Sequence, residues 1–149
     1  MRIDAGSHRG VKLAQPAGAD PRQPSDRARQ AVFNILAHPH DAIRDAKVLD
    51  VFAGSGALGL EALSRGAERA SFIESNRAAA DCIKRNIAAC REQAKTQLFV
   101  ADALRPPSAI DQRAGELQHV HWCLDRREPR QRRPMAGAKF QHFRAAPPS

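Results

Sequence analysis

The sequence of 149 residues predicts an α/β fold, in which a parallel sheet carries helices on both faces and is incomplete after its third strand. Two observations predict this class. Short apolar runs alternate with helical segments between residues 47 and 104, and strands separated by helices of that length pair in parallel. A glycine-rich turn, Gly54-Ser55-Gly56, also joins the first strand to the helix behind it, as in α/β folds that bind ligands there.

Residues 1–24 are polar and basic, and we expect them to form an arm, either a short hairpin or an extended strand, anchored by Leu13. A helix is predicted over Asp26–Ala37, because Ser25 is a favourable N-cap and Pro39 ends the run. The helical spacing predicts that its buried stripe, flanked by Phe33, consists of Ala28, Val32, Ile35 and Leu36.

The predicted strands of the central segment, in chain order, are Val48–Phe52, Ala70–Ile73 and Leu98–Ala101. The helices between them are Ala57–Arg65, which Gly66 ends, and Arg77–Cys90. An acidic residue lies at or beside the end of each strand, and the three are Asp50, Glu74 and Asp102. Because the carboxyl ends of parallel strands meet at one edge of a sheet, we expect these acids to line one crevice with the glycine-rich turn.

Two ligand classes fit this crevice. Gly54 to Gly59 match the dinucleotide fingerprint and Glu74 follows at the appropriate distance, so NAD is one candidate. The carboxylate of Asp50, however, would repel a diphosphate and attract a cation, such as the amino group or sulfonium of S-adenosylmethionine. In either case Glu74 can accept hydrogen bonds from both ribose hydroxyls, and Asp102 suits the adenine amino group. We therefore favour the methyl donor over the dinucleotide.

The formal net charge of +8 favours a polyanionic partner such as RNA or DNA. The sequence contains neither a hydrophobic signal segment nor an apolar run long enough to span a bilayer, so we expect a cytoplasmic protein without a membrane partner. The cysteines show no paired spacing, which suggests reduced thiols, and they are Cys82, Cys90 and Cys123.

Residues 105–149 are rich in proline and arginine, and we expect an irregular basic tail. Its single strand-like run is Val120–Leu124, which Asp125 follows. His119, His121 and Cys123 alternate, so one strand face could carry all three as metal ligands. No fourth ligand stands at a familiar spacing, and no metal site is predicted.

Residues 1–104 resemble the bacterial 16S ribosomal RNA (guanine-N2)-methyltransferases, which have the class I methyltransferase, Rossmann-like fold. The resemblance rests mainly on the run from Val48 to Ala67, with further matches at Ser25–Arg29 and in the arm, where Asp4 replaces an apolar residue of the family. It implies an S-adenosylmethionine-binding domain over residues 25–104. The cofactor-binding residues that it implies are Asp50, Phe52, Ala53, Gly54, Ser55, Gly56, Glu74, Asp102 and Ala103.

The resemblance also implies an enzyme whose partner is 16S rRNA or the small ribosomal subunit, and we expect a monomer. The arm and the first helix would contact that RNA. The candidates for phosphate contacts are Arg2, Arg9, Lys12, Arg27 and Arg29.

The family places Asp/Asn-Pro-Pro-Tyr/Phe after its fourth strand, and this chain lacks that motif. Arg105-Pro106-Pro107-Ser108 has neither the acid nor the aromatic residue. Asp125 stands where the motif acid belongs, and it is our candidate catalytic residue. Arg126-Arg127 follow it, and loss of one C from consecutive proline codons would produce such a pair. We hypothesise a shifted reading frame, and expect weak or absent catalysis, an open edge at the first strand and marginal stability. The alternative to a shifted frame is a natural but divergent tail, and the alternative function is that of an inactive RNA- or donor-binding remnant.

Overall fold

The computed structural model describes residues 1–18, 26–37, 42–105 and the backbone of 121–123. Its helices are α1 (Asp26–Ala37), α2 (Ala57–Ser64) and α3 (Arg77–Cys90), with a 3₁₀ turn at Gln93–Lys95. Its strands are β1 (Lys47–Val51), β2 (Arg69–Glu74), β3 (Thr96–Val100) and β4 (His121–Cys123). The predicted bounds of α1 and α3 are confirmed, and the other predicted elements are displaced by one or two residues at their ends.

The sheet is parallel with the strand order β3-β2-β1-β4. The α/β class with an incomplete sheet is therefore confirmed, and in the described residues a three-residue strand, β4, follows the third strand. Leu49 and Val51 of β1 face His121 and Cys123 of β4 in register, whereas β2 pairs along the other side of β1. The expectation of an open edge at β1 is wrong for this stretch, because the run after residue 120 pairs there.

Side chains of β1 and β2 alternate between two apolar clusters. Val48 and Phe72 pack on the side of α2 and α3, in one core with Leu60 and Ile83. Residues of the opposite face, including Leu49 and Ile73, pack with residues that follow the strands, such as Phe52, Ala101 and Ala103. Among the described residues the helices contribute to the first cluster alone, so the expected second helical layer is not seen in this part of the chain.

Helix α2 lies unusually close to β2 because Gly59 has no side chain. A Cβ atom at that position would lie 2.4 Å from Cε1 of Phe72, a distance that real Cβ contacts do not show. The turn before the helix needs left-handed backbone, with φ of 61° at Phe52 and 76° at Gly56. The strand therefore ends at Val51, one residue before its predicted end.

The buried stripe of α1 differs from the one predicted. Phe33 is 1% exposed and forms part of the core, whereas Ile35 is 73% exposed. The helix is rotated so that Arg29, Phe33 and Leu36 share the inner face, which keeps the helical spacing but shifts it by one position. The guanidinium of Arg65 on α2 lies 4.8 Å from the centroid of the Phe33 ring, which joins the two helices.

The arm is a tight hairpin, the first of the two predicted alternatives. Arg2 and Lys12 form an antiparallel bridge, and the N–H of Ile3 donates to the carbonyl of Val11 at 3.0 Å. Leu13 is buried as predicted, and Ile3 is buried beside it in the core formed with α1 and α2.

Some of the sequence-based expectations concern positions outside the described residues. These are the capping role of Ser25, the helix stop at Pro39, the metal alternative at His119, the catalytic role of Asp125 and the irregular tail. None of the helices in the described part of the chain combines the length and apolarity that a bilayer crossing requires.

Candidate functional site

Two carboxylates hold backbone N–H groups of the glycine-rich turn after β1 and of the helix start behind it. The N–H of Gly54 donates to Oε2 of Glu74 at 2.8 Å, and the N–H of Gly59 donates to Oδ2 of Asp50 at 3.1 Å. Asp50 is only 2% exposed, because its side chain points from β1 into the first turn of α2. A buried acid at a helix N-terminus is favourable, since its charge opposes the helix dipole and it satisfies a donor there.

Glu74 connects that turn to the start of α3. While Oε2 accepts from Gly54, Oε1 accepts from the N–H of Asn76 at 2.8 Å. Asn76 in turn caps α3 by accepting from the N–H of Ala79 at 3.1 Å. An ionised carboxylate has about four lone-pair positions, so these two bonds leave Glu74 acceptor capacity at the carboxyl edge of the sheet.

Asp102 follows β3 and is exposed, unlike the two other acids. Its Oδ1 accepts from the N–H of Leu104 at 2.9 Å, which fixes the side chain in a local turn. The N–H of Ala101 donates to the carbonyl oxygen of Glu74 at 3.1 Å, and Ala103 is buried against Leu49. The segment after β3 thus remains tied to the end of β2.

Residues 52–56, which we call the donor turn, are also fixed by their own backbone. The N–H of Ala53 donates to the carbonyl of Ile73 at 3.0 Å, and the N–H of Gly56 donates to the carbonyl of Ala53 at 2.8 Å. Ser55 is buried, and Phe52 is partly buried in the cluster beyond the sheet. The turn therefore has a defined shape before any ligand binds.

The fold brings Glu74 into direct contact with the donor turn and Asp50 into contact with the first turn of α2 behind it, and it ties the segment containing Asp102 to the same edge. The role of these residues in binding a ligand stays a prediction. Within the described residues, no group of three or more histidine, cysteine, aspartate or glutamate side chains is arranged to hold a metal ion.

Asn86, which reaches the donor turn from α3, was not among the residues predicted from the sequence. Its Nδ2 donates to the carbonyl of Ser55 at 2.8 Å, and its carboxamide also binds both backbone groups of Ala14 in the arm. A signal existed, because an asparagine lies on the otherwise apolar face of α3 beside Ile83 and Ile87. A polar side chain in that position must find partners when it is buried.

The residues of α2 that hold the arm were not predicted from the sequence either. Glu61 is 0% exposed and accepts from the N–H of Asp4 at 2.8 Å and of Ala5 at 3.2 Å. Ser64 accepts from the N–H of His8 at 2.9 Å and donates to the carbonyl of Ala5 at 2.5 Å. Both residues lie within the run from Val48 to Ala67, in which the site prediction rested on the glycines and on Asp50.

Four of the five candidates for phosphate contacts are exposed, namely Arg2, Arg9, Lys12 and Arg27. Arg29 is different, because it is 3% exposed and points inward. Its guanidinium donates to Oδ2 of Asp4 at 2.9 Å and to the carbonyl of Arg2 at 2.7 Å. The structure thus places Arg29 in the attachment of the arm to α1 and not on the outer surface.

Comparisons with known proteins agree with this fold. The family described as Conserved hypothetical protein 95 matches residues 1–121. Ribosomal RNA small subunit methyltransferase D of Escherichia coli is 49% identical over 88 residues, which is 59% of this chain and 43% of that protein.

Two solved structures are also similar. An Escherichia coli protein provisionally named methyltransferase yhhF gives a TM-score of 0.61 at 42% identity, covering 70% of this chain and 53% of that one. A hypothetical protein of Thermus thermophilus gives a TM-score of 0.63 at 31% identity, covering 78% and 62%.

The chain spans about half the length of the curated relatives it matches. Its sheet order, its donor turn and these similarities together confirm the class I methyltransferase, Rossmann-like fold. The chain belongs to the Conserved hypothetical protein 95 family, and its predicted relationship to the bacterial rRNA methyltransferases is confirmed.

Proposed function

We propose that this chain binds S-adenosylmethionine at the donor turn and serves methyl transfer to the exocyclic N2 of a guanine in 16S rRNA. The observation that carries the proposal is that two carboxylates, Asp50 and Glu74, hold N–H groups at the turn and the helix start behind it. The names of the relatives support the same chemistry, since the Escherichia coli relative is a small-subunit rRNA methyltransferase.

The position of Asp50 favours a cationic ligand over a dinucleotide. A diphosphate binds this kind of turn through free N–H groups at the helix N-terminus. Here the N–H of Gly59 already donates to a buried carboxylate, and the N–H of Gly54 donates to Glu74. A diphosphate would meet two negative side chains, whereas the amino group and sulfonium of the methyl donor would be attracted to them.

The exposed cations of the arm and of α1 support the proposal that this chain binds RNA. Arg2, Arg9 and Lys12 lie on one hairpin, and Arg27 lies in the first turn of α1. Such side chains bind phosphates with little sequence preference, and the affinity falls as salt concentration rises. We infer that they position the RNA and leave the choice of nucleotide to other residues.

Methyl transfer to an exocyclic amine depends mostly on positioning. The donor supplies an activated methyl group, and the protein must hold the amine in line with it. In this proposal Asp125, which follows β4 by two positions in the sequence, accepts a hydrogen bond from that amine. The second candidate function is donor or RNA binding without catalysis, which the missing Pro-Pro-aromatic motif favours.

Calorimetric titration of the full chain tests the donor site. We expect S-adenosylhomocysteine to bind and NAD not to bind. Asp50→Asn keeps an oxygen for the N–H of Gly59 but removes the charge, and it should weaken S-adenosylhomocysteine binding about tenfold or more. Asp81→Asn, an exposed site on α3, is the control and should leave the affinity unchanged. Binding of NAD in preference to the methyl compound would refute the proposal.

Transfer of a labelled methyl group to undermethylated small ribosomal subunits separates the two candidate functions. Incorporation that disappears in Asp125→Ala would support the enzyme, and binding of donor and RNA without incorporation would support the remnant. Sequencing the gene tests the frameshift hypothesis, which fails if no shifted frame restores Pro-Pro-aromatic and further strands.

A further inference from the structure

Asn86 joins three parts of the molecule through a single buried carboxamide. It lies on α3, it binds Ala14 in the arm, and it binds Ser55 in the donor turn. The sequence separations are 72 residues to Ala14 and 31 residues to Ser55, so the link is entirely tertiary. The elements that Asn86 connects are those proposed to meet the RNA and the methyl donor.

On the side of the arm, the carboxamide binds Ala14 as a neighbouring strand would. Oδ1 accepts from the N–H of Ala14 at 2.8 Å, and Nδ2 donates to its carbonyl at 3.0 Å. Two bonds to one residue fix both the position and the orientation of the backbone. Ala14 follows Lys12 and the buried Leu13, so the base of the cationic hairpin is held at this point.

On the side of the donor turn, the same Nδ2 donates to the carbonyl of Ser55 at 2.8 Å. A carboxamide nitrogen carries two hydrogens, and the two backbone carbonyls take both. The remaining contact, 3.7 Å to Sγ of Cys82, is weaker. The donor turn is therefore held from two sides, by Glu74 at the N–H of Gly54 and by Asn86 at the next residue.

We propose that Asn86 is a positioning residue that couples docking of RNA on the arm to binding of the methyl donor at the turn. This inference rests on the proposed function, because it takes the arm as the RNA-binding element and the turn as the donor site. A displacement of Ala14 must change the hydrogen bonds of the carboxamide, and Ser55 shares that carboxamide. By linkage, RNA then alters donor affinity and donor alters RNA affinity by the same factor.

Two variants break the link from opposite ends. Asn86→Asp keeps an acceptor for the N–H of Ala14 but loses both donors and places a carboxylate against two carbonyls. Ala14→Pro removes the N–H that Oδ1 accepts and leaves the bond to Ser55 in place. Ser64→Ala is the matched control, because it also removes two hydrogen bonds to the arm but lies at the opposite end of α2 from the donor turn.

The experiment measures the Kd of S-adenosylhomocysteine for the full chain with and without a saturating 16S rRNA fragment. For the unmodified chain and for Ser64→Ala we expect RNA to change this Kd by about fivefold or more. For Asn86→Asp and Ala14→Pro we expect a ratio near one. A merely structural role would lower stability in all three variants and leave the ratio intact.

The ratio also separates failure of this inference from failure of the proposed function. If the unmodified chain does not bind S-adenosylhomocysteine, both are overturned. If it binds and the ratio is near one, or if the ratio survives in Asn86→Asp and Ala14→Pro, only the coupling is overturned.

Amide hydrogen exchange of the donor-free chain gives a measurement independent of any ligand. Asn86→Asp loses the donor that binds the carbonyl of Ser55, so it should raise the exchange rates at Gly54 and Gly56 about tenfold, which Ser64→Ala should not do. Equal rates in the two variants would contradict a connection through the carboxamide.

Discussion

The arm and the sheet are attached to the same helices by different interactions. Apolar side chains join the sheet to α2 and α3, with Phe72 and Leu60 fully buried between them. The arm buries Ile3 and Leu13, but most of its fixed points are hydrogen bonds to buried polar side chains. Those side chains are Arg29 on α1, Glu61 and Ser64 on α2, Asn86 on α3 and Glu92 after it.

The two kinds of attachment should differ in how well they tolerate substitutions. Apolar packing depends on volume and survives the exchange of similar side chains, whereas a buried hydrogen bond depends on which atom donates. The arm should therefore be the less tolerant region, although it buries less apolar surface. Such fixed placement is what an element needs if its cationic side chains are to meet a structured RNA in one orientation.

Glu61→Gln should have the largest effect. Its two oxygens accept three hydrogen bonds, from Asp4, Ala5 and Arg65, and a carboxamide of the same shape turns an N–H₂ group toward donors. We expect a loss of about 3 kcal/mol in the free energy of unfolding. Phe72→Leu, the control in the sheet, should cost about 1.5 kcal/mol or less. Urea unfolding of both variants measures this, and a larger loss for Phe72→Leu would reverse the comparison.

Gly6→Ala should have the next largest effect. A Cβ atom at this position would lie 1.7 Å from the carbonyl oxygen of Ser64, so the hairpin would have to leave α2. Gly10 has nearly the same backbone, with φ of 86° against 83°, but nothing lies within 4 Å of its Cβ position.

Gly10→Ala therefore isolates the cost of positive φ, about 1 kcal/mol, and Gly6→Ala should exceed it by about 1 kcal/mol. Thermal melting of the pair gives the difference. Equal losses would show that contact with α2 does not fix the hairpin.

The elements that are held together by apolar packing could be predicted from the sequence, because the local spacing of apolar residues indicates each helix and strand. The β1–α2–β2–α3–β3 order and the burial of Leu13 follow from spacing, turn residues and caps, whereas the hairpin was one of two alternatives that the sequence left open for the arm. The predicted buried stripe of α1 was displaced by one position, since the spacing put Ile35 on the stripe and Phe33 beside it. The choice depends on Arg29, whose charge finds a partner in Asp4, and no local pattern contains that pairing.

The candidate site was predictable where it follows the ends of strands. Asp50, Glu74 and the glycines are identified by their positions after β1 and β2. Glu61, Ser64 and Asn86 could not be assigned in the same way, because their partners lie 56 or more residues away in the arm. The pairing of β4 with β1 was not predicted for a related reason. It depends on backbone register, which the number of apolar residues in the run does not reveal.

Gly59→Ala tests the apolar packing between α2 and the sheet. The added methyl group would meet the Phe72 ring at 2.4 Å, and the ring or the helix must shift. Overpacking costs about 1–3 kcal/mol, while alanine regains about 1 kcal/mol of helix propensity, so we expect a net loss of about 1 kcal/mol. Gly59→Ala combined with Phe72→Leu should recover part of that loss in urea unfolding. A double variant as unstable as the sum of the two would show that Phe72 is not what restricts position 59.

The buried thiols on α3 provide the smallest expected effect. Burial raises the pKa of Cys82 above its ordinary value, and burial, followed by the nearby charge of Glu92, raises the pKa of Cys90. As pH rises through the ordinary thiol value of 9.0, the unfolded chain loses protons that the folded chain keeps. The free energy of unfolding should therefore fall with increasing pH in this range.

Urea unfolding between about pH 8 and pH 10 should show a flatter decline for Cys82→Ala with Cys90→Ala than for the unmodified chain. The sequence contains no tyrosine, so no phenol titrates in the same range. An equally steep decline in the double variant would show that these two thiols do not cause the pH dependence. Because both thiols lie on the α3 face that packs against the core, the flattening would report how closely this helix excludes water, and Asn86 lies on that same face.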